Sequence, residues 1–75
     1  MDDPRLTGHS TIVLTPRERD VLQLAADGLS TPTIAQHLSV SRATVRTHFG
    51  NIYLKLDVRS RAGAVAKGMR LGLIS

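Results

Sequence analysis

The sequence predicts an all-α fold of four short helices, and three observations carry that prediction. Apolar residues recur at helical spacings of three and four in separate runs, and no run alternates as a strand would. A Thr or Ser able to cap a helix stands at the head of each run, at Thr15, Ser30, Ser41 and Ser60. The breaks between runs are short, so consecutive helices must pack as neighbours.

Residues 1–13, MDDPRLTGHSTIV, have no apolar periodicity and contain Pro4, Gly8, Ser10 and Thr11. They read as a flexible leader or the stub of a linker, which leaves the folded domain at 14–75. Thr15-Pro16-Arg17-Glu18 is a capping box with proline at the first helical position. The Thr15 hydroxyl can accept from the Glu18 amide while the Glu18 carboxylate accepts from the Thr15 amide. Arg61 and Lys55 are further candidate partners for that carboxylate. The first helix should run to about Asp27 and bury Val21, Leu22 and Ala25, with Leu24 beside them. Gly28, free to turn left-handed, ends it.

Ser30-Thr31-Pro32 opens a short second helix with Ile34, Ala35 and Leu38 on one face. Ser39-Val40-Ser41 is a three-residue break, and Ser41 caps the third helix. There Val45, Phe49, Ile52 and Leu56 fall at spacings of 4, 3 and 4, a continuous apolar stripe ending near Asp57-Val58. The fourth helix should start around Ser60, bury Ala62, Val65, Ala66 and Met69, and stop at Gly72, with Leu73 and Ile74 folded back beneath it. A short second helix joined to the third by one tight turn makes this a helix-turn-helix.

Charge is distributed unevenly over this layout. Lys and Arg number 10 against 6 Asp and Glu, a net +4 with His neutral, which suits a polyanionic partner such as nucleic acid. From Arg42 onward stand Arg42, Arg46, Lys55, Arg59, Arg61, Lys67 and Arg70 against the single acid Asp57. Glu18, Asp20 and Asp27 lie in the first half, so the positive face should belong to the later helices.

Several function classes find no support. Without cysteine there are neither disulfides nor thiolate ligands, and His9, His37 and His48 lack metal-ligand spacing, so no metal or cofactor is expected. The serines have no His and acid at suggestive spacing, and an enzyme is not expected. No stretch approaches the roughly 18 apolar residues of a membrane span. Asp2 and Asp3, followed by no apolar run, do not begin a signal peptide, so a cytoplasmic, nucleoid-associated place is expected.

With the stripe of the third helix against the core, about 100° per residue places the opposite face. Its centre holds Ala43, Thr47, Gly50 and Leu54, with Arg46 on one flank and Thr44, Asn51 and Lys55 on the other. Small central residues let a backbone approach base edges, which is why Gly50 counts as a base-contacting position. Arg46 can reach guanine O6 and N7, Thr47 can bond a base or touch a thymine methyl, and an inward-tilted Asn51 can read adenine. Arg42, Thr44, Lys55 and Arg59 are placed to hold phosphates. The amino end of the second helix, with Ser30, Thr31 and Thr33, offers amides and hydroxyls for another. Phe49 belongs to the core and Tyr53 packs beside it, so aromatic platforms for single strands are not expected. Double-stranded DNA is the expected partner.

Leu14-Thr15-Pro16-Arg17-Glu18, Val21-Leu22, Gly28, Ile34-Ala35, Leu38, Ser41, Thr44-Val45, His48, Ile52, Lys55-Leu56, Arg61 and Gly72 closely resemble the LuxR/FixJ-type DNA-binding domain of bacterial transcription regulators. The resemblance runs ungapped from residue 14 to 74. It implies a four-helix domain, with the third as recognition helix, at the carboxyl end of a response regulator or ligand-sensing regulator. It further implies binding to inverted repeats as a dimer paired through the fourth helix, where Val65 and Met69 are candidates. The family's groove contacts fall on Arg46, Thr47 and Gly50, and its phosphate contacts on Thr44 and Lys55. Two departures stand out. Thr31-Pro32-Thr33 replaces a frequent Asn-Lys-Glu, and Gly50 replaces a long side chain at a cost to the helix of about 1 kcal/mol relative to Ala. Gly63 and Gly68 weaken the fourth helix likewise, while Gly68 permits a close helix–helix approach; with so few dimer contacts the homodimer should be weak and form on DNA.

Two other readings use the fourth helix. Val65, Met69, Leu71 and Leu73 could face RNA polymerase or another protein, and a basic helix with glycines could lie on a membrane surface.

Overall fold

The computed structural model describes residues 12–75, all of whose regular elements are helices: α1 (Pro16–Ala26), α2 (Thr31–Leu38), α3 (Arg42–Leu56) and α4 (Arg61–Arg70). Each starts where a hydroxyl can satisfy an otherwise orphaned amide. Thr15, Ser30, Ser41 and Ser60 are the N-caps, accepting from the amides of Glu18, Thr33, Thr44 and Gly63. The capping box is complete: Glu18 donates its amide to Thr15 Oγ1 at 3.1 Å, and Thr15 donates its own to Glu18 Oε1 at 2.9 Å.

The ends are equally local. Gly28 takes φ +95, and the amides of Gly28 and Leu29 return to the carbonyls of Ala25 and Leu24, closing α1. Ser39 and Asp57 close α2 and α3 in the left-handed region, at φ 58 and 55. Asp tolerates that conformation; at Ser39 the tight turn between the two helices imposes it.

α3 is the hub, lying against α1, α2 and α4. Its Val45, Phe49, Ile52 and Leu56 meet Val21, Leu22 and Ala25 of α1 and Ile34 and Ala35 of α2 in one core. After Gly72 the chain doubles back, seating Ile74 in that core, and Gln23 clamps Ser75 through both its main-chain N and O.

One expectation needs correcting. α4 does not bury Ala62, Val65, Ala66 and Met69: Ala62, Ala66 and Met69 are exposed, Val65 is half-buried, and the inward face is Ala64 and Gly68. Gly68 passes so close to α1 that a Cβ there would stand 2.9 Å from Leu22 Cδ2 and 3.2 Å from Ile74 Cγ1. Helix contact therefore selects the residue with no side chain, which an apolar count passes over. Ahead of α1, Ile12 packs against the core. The rest of the expected leader, residues 1–11, lies outside the described residues.

Candidate nucleic-acid interface

Packing one face of α3 so firmly leaves the opposite face to solvent. Ala43, Arg46, Thr47, Gly50, Asn51 and Leu54 are all exposed there, as the periodicity of the stripe requires. Nothing lies within 4 Å of where a Cβ on Gly50 would be, so the middle of this face is bare backbone. The Thr47 hydroxyl donates to the Ala43 carbonyl at 3.1 Å. Arg42 and Arg46 on α3, and Arg59 in the connection to α4, are exposed and have no hydrogen bond or ion pair among the described residues.

At the amino ends of α2 and α3 the same device appears twice. Ser30 Oγ and Thr33 Oγ1 are 3.0 Å apart, and Ser41 Oγ and Thr44 Oγ1 are 2.9 Å apart. Each pair consumes one O–H between its members and leaves another to donate outward. Thr31 and Thr44 are half-buried, whereas Ser30 and Thr33 are exposed.

Three further cations, Lys55, Arg61 and Lys67, are employed within the fold, which charge counting did not reveal. Lys67 Nζ donates to the Leu56 carbonyl at 2.7 Å, capping α3. Arg61 donates to the Leu29 carbonyl, just ahead of the Ser30 cap, and its guanidinium lies 5.3 Å from the centre of the Phe49 ring. Lys55 Nζ donates to Glu18 Oε1 at 2.7 Å; of the two candidate partners, Lys55 and not Arg61 is the one taken. Burial alone would push the Glu18 carboxyl up, but the Lys55 hydrogen bond, the Thr15 amide and the Lys55 charge together hold it below its ordinary value. Lys55 remains 37% exposed, so an ammonium with three donors still has some to offer outward.

Met69 on α4 and Leu71 at its C-cap are each 47% exposed. Among the described residues no group of His, Asp and Glu is placed to hold a metal, and no helix is long and apolar enough to cross a membrane.

Residues 12–67 match the family described as bacterial regulatory proteins, luxR family. The chain is 50% identical over 62 residues to the probable transcriptional regulatory protein NarL of Mycobacterium tuberculosis, covering 83% of this chain and 29% of that protein. It is 44% identical over 59 residues to the transcriptional regulatory protein DesR of Bacillus subtilis, covering 79% and 30%. The chain thus spans under a third of the length of these curated relatives. The solved structure of the transcription factor GerE matches with a TM-score of 0.79 at 38% identity, covering 87% of this chain and 96% of that one. The response regulator ChrA of a heme-sensing two-component system matches at 0.81 and 40% identity, covering 83% and 31%.

Proposed function

The chain belongs to the luxR family of bacterial regulatory proteins, DNA-binding regulators of transcription, and from that premise we propose that it reads duplex DNA with α3 in the major groove. The observation that carries this reading is the outer face of α3: small residues at its centre and a guanidinium, Arg46, on its flank with no partner among the described residues. Such a helix can approach base edges closely while Arg46 forks onto guanine O6 and N7. Thr47, Asn51 and the Gly50 backbone complete the base-facing set. Arg42, Thr44, Lys55 and Arg59, with Ser30, Thr31 and Thr33 at the head of α2, form the phosphate-facing set that fixes register.

Two copies then bind an inverted repeat, pairing through α4 around Val65 and Met69. The exposed Met69 and Leu71 support that surface, and its small apolar extent fits a pair that forms on DNA rather than in solution. In a longer regulator this module is the output domain, acting in the cytoplasm by binding and not by catalysis.

Selection from random duplex DNA tests the reading. Enrichment of an inverted repeat with half-sites about one helical turn apart is expected. On the enriched site Arg46→Ala should cost about 1–3 kcal/mol and relax one base position, while Arg42→Ala should lower affinity for all duplexes and reduce the salt slope by about one unit. If a folded protein enriches nothing and neither substitution alters duplex binding, the docking is wrong.

A further inference from the structure

We propose that Leu54 is a specificity residue which reads the C5-methyl group of a thymine, about three base-pair steps from a thymine methyl touched by Thr47, along a ridge that Gly50 keeps clear. The inference rests on the docking of α3 proposed above and goes beyond it by assigning a base preference.

Leu54 is 82% exposed, more than Val13 at 66% or Met69 and Leu71 at 47%. Nor is it peripheral. At about 100° per residue it points within about 20° of Thr47 and directly away from the Val45–Leu56 stripe. A leucine there offers neither donor nor acceptor. In the major groove the apolar feature that distinguishes one base from another is the thymine methyl, so the chemistry of the side chain selects its target.

Gly50 makes the contact sterically accessible. It lies one turn before Leu54 with open space where a Cβ would be, so on that side of the Thr47–Leu54 line nothing holds the helix off the bases, and Asn51 borders the line on the other. Thr47 spends its proton on the Ala43 carbonyl, which leaves a methyl and an acceptor lone pair for a base edge. Seven residues of helix separate the two side chains by about 10 Å, close to three 3.4 Å steps of duplex.

A protein surface is the other conceivable cover for an exposed leucine, and the surroundings oppose it. Leu54 is the one exposed large hydrophobic of α3, with Asn51 one turn before it and the half-committed Lys55 beside it, whereas protein-docking patches are contiguous and apolar.

The test uses the full chain and the duplex enriched by selection, with each thymine replaced in turn by deoxyuridine, which deletes only the methyl. For the unaltered protein we expect a loss of about fourfold at two positions roughly three steps apart, the effect of one buried methyl-sized group. Leu54→Ala should abolish the loss at one of them and Thr47→Ser at the other, with the thermal midpoint of each variant unchanged. A flat deoxyuridine scan overturns the proposal. So does a Leu54→Ala variant that weakens every duplex equally while retaining both losses, which would mark Leu54 as a protein contact. Arg46→Ala separates the two levels. If it weakens binding while the scan is not coupled to Leu54, the docking stands and the role of Leu54 falls. If no duplex is enriched and Arg46→Ala has no effect, both fall together.

Discussion

The seam where α1, α3 and α4 meet and the outer face of α3 use the same kinds of residue in opposite ways. Each has a mid-helix glycine, long cations and leucine. At the seam the glycine is crowded, with Leu22 Cδ2 2.9 Å from where a Gly68 Cβ would be, and the cations end on protein acceptors: Lys55 on Glu18, Lys67 on Leu56, Arg61 on Leu29. On the outer face Gly50 is open, Arg42 and Arg46 have no partner among the described residues, and Leu54 stands in solvent. Residue type does not distinguish a cation engaged by the fold from one left free; the neighbours do. Capacity left unused by the fold is capacity available to a partner.

The largest effect that should follow is at the seam. Gly68→Val drives two methyls into Leu22, which is fully buried, and into Ile74. Overpacking of this kind costs about 3 kcal/mol, a large share of the margin of so small a domain. Urea unfolding should show it as a fall in midpoint. A change below about 1 kcal/mol would mean that α4 shifts freely and the seam is not close-packed.

Lys55→Met comes next. It removes the cation from a buried carboxylate, an event costing about 3–5 kcal/mol in a fully buried pair; the 37% exposure of Lys55 reduces the expectation to about 2 kcal/mol. The effect has a pH signature. Because the folded Glu18 carboxyl titrates below its ordinary value, the pair stabilises the fold above about pH 4, and that contribution fades as pH falls through the lowered value. In the variant the Thr15 bonds remain but the cation no longer opposes burial, so the carboxyl titrates higher than in the parent, and acid neutralises it and relieves the penalty. The stability gap between the two proteins should therefore narrow from pH 7 to pH 4. A gap that widens would contradict the assignment of Lys55 to Glu18.

The same contrast explains what the sequence made legible. Helix ends were readable because their signals are local: the Thr15–Glu18 box, the serine caps, Gly28, Asp57 and Gly72 all act within one turn. The outward face of α3 was readable because Val45, Phe49, Ile52 and Leu56 set a single phase. α4 has no such pattern. Alanines at 62, 64 and 66 favour no side, and the phase is decided by Leu22 and Ile74, which come from elsewhere in the chain. The capture of Arg61 and Lys67 by main-chain carbonyls was illegible for the same reason. Both carbonyls belong to helix boundaries brought near by tertiary packing, and no spacing in the sequence encodes that approach.

The smallest effect is the most discriminating, because it reverses sign between the two regions. Gly50→Ala adds a Cβ into open space on a regular helix and removes the backbone entropy that glycine loses on folding. It should stabilise the protein by about 0.5–1 kcal/mol, read as a rise in thermal midpoint. If α3 presses its backbone towards base edges here, the stabilised variant should bind its selected duplex more weakly despite having every charged contact intact. If affinity is unchanged, the helix stands off the bases at residue 50, and the ridge from Thr47 to Leu54 does not lie against the groove floor. Stability and affinity moving in opposite directions would place Gly50 among the residues that serve the partner rather than the fold.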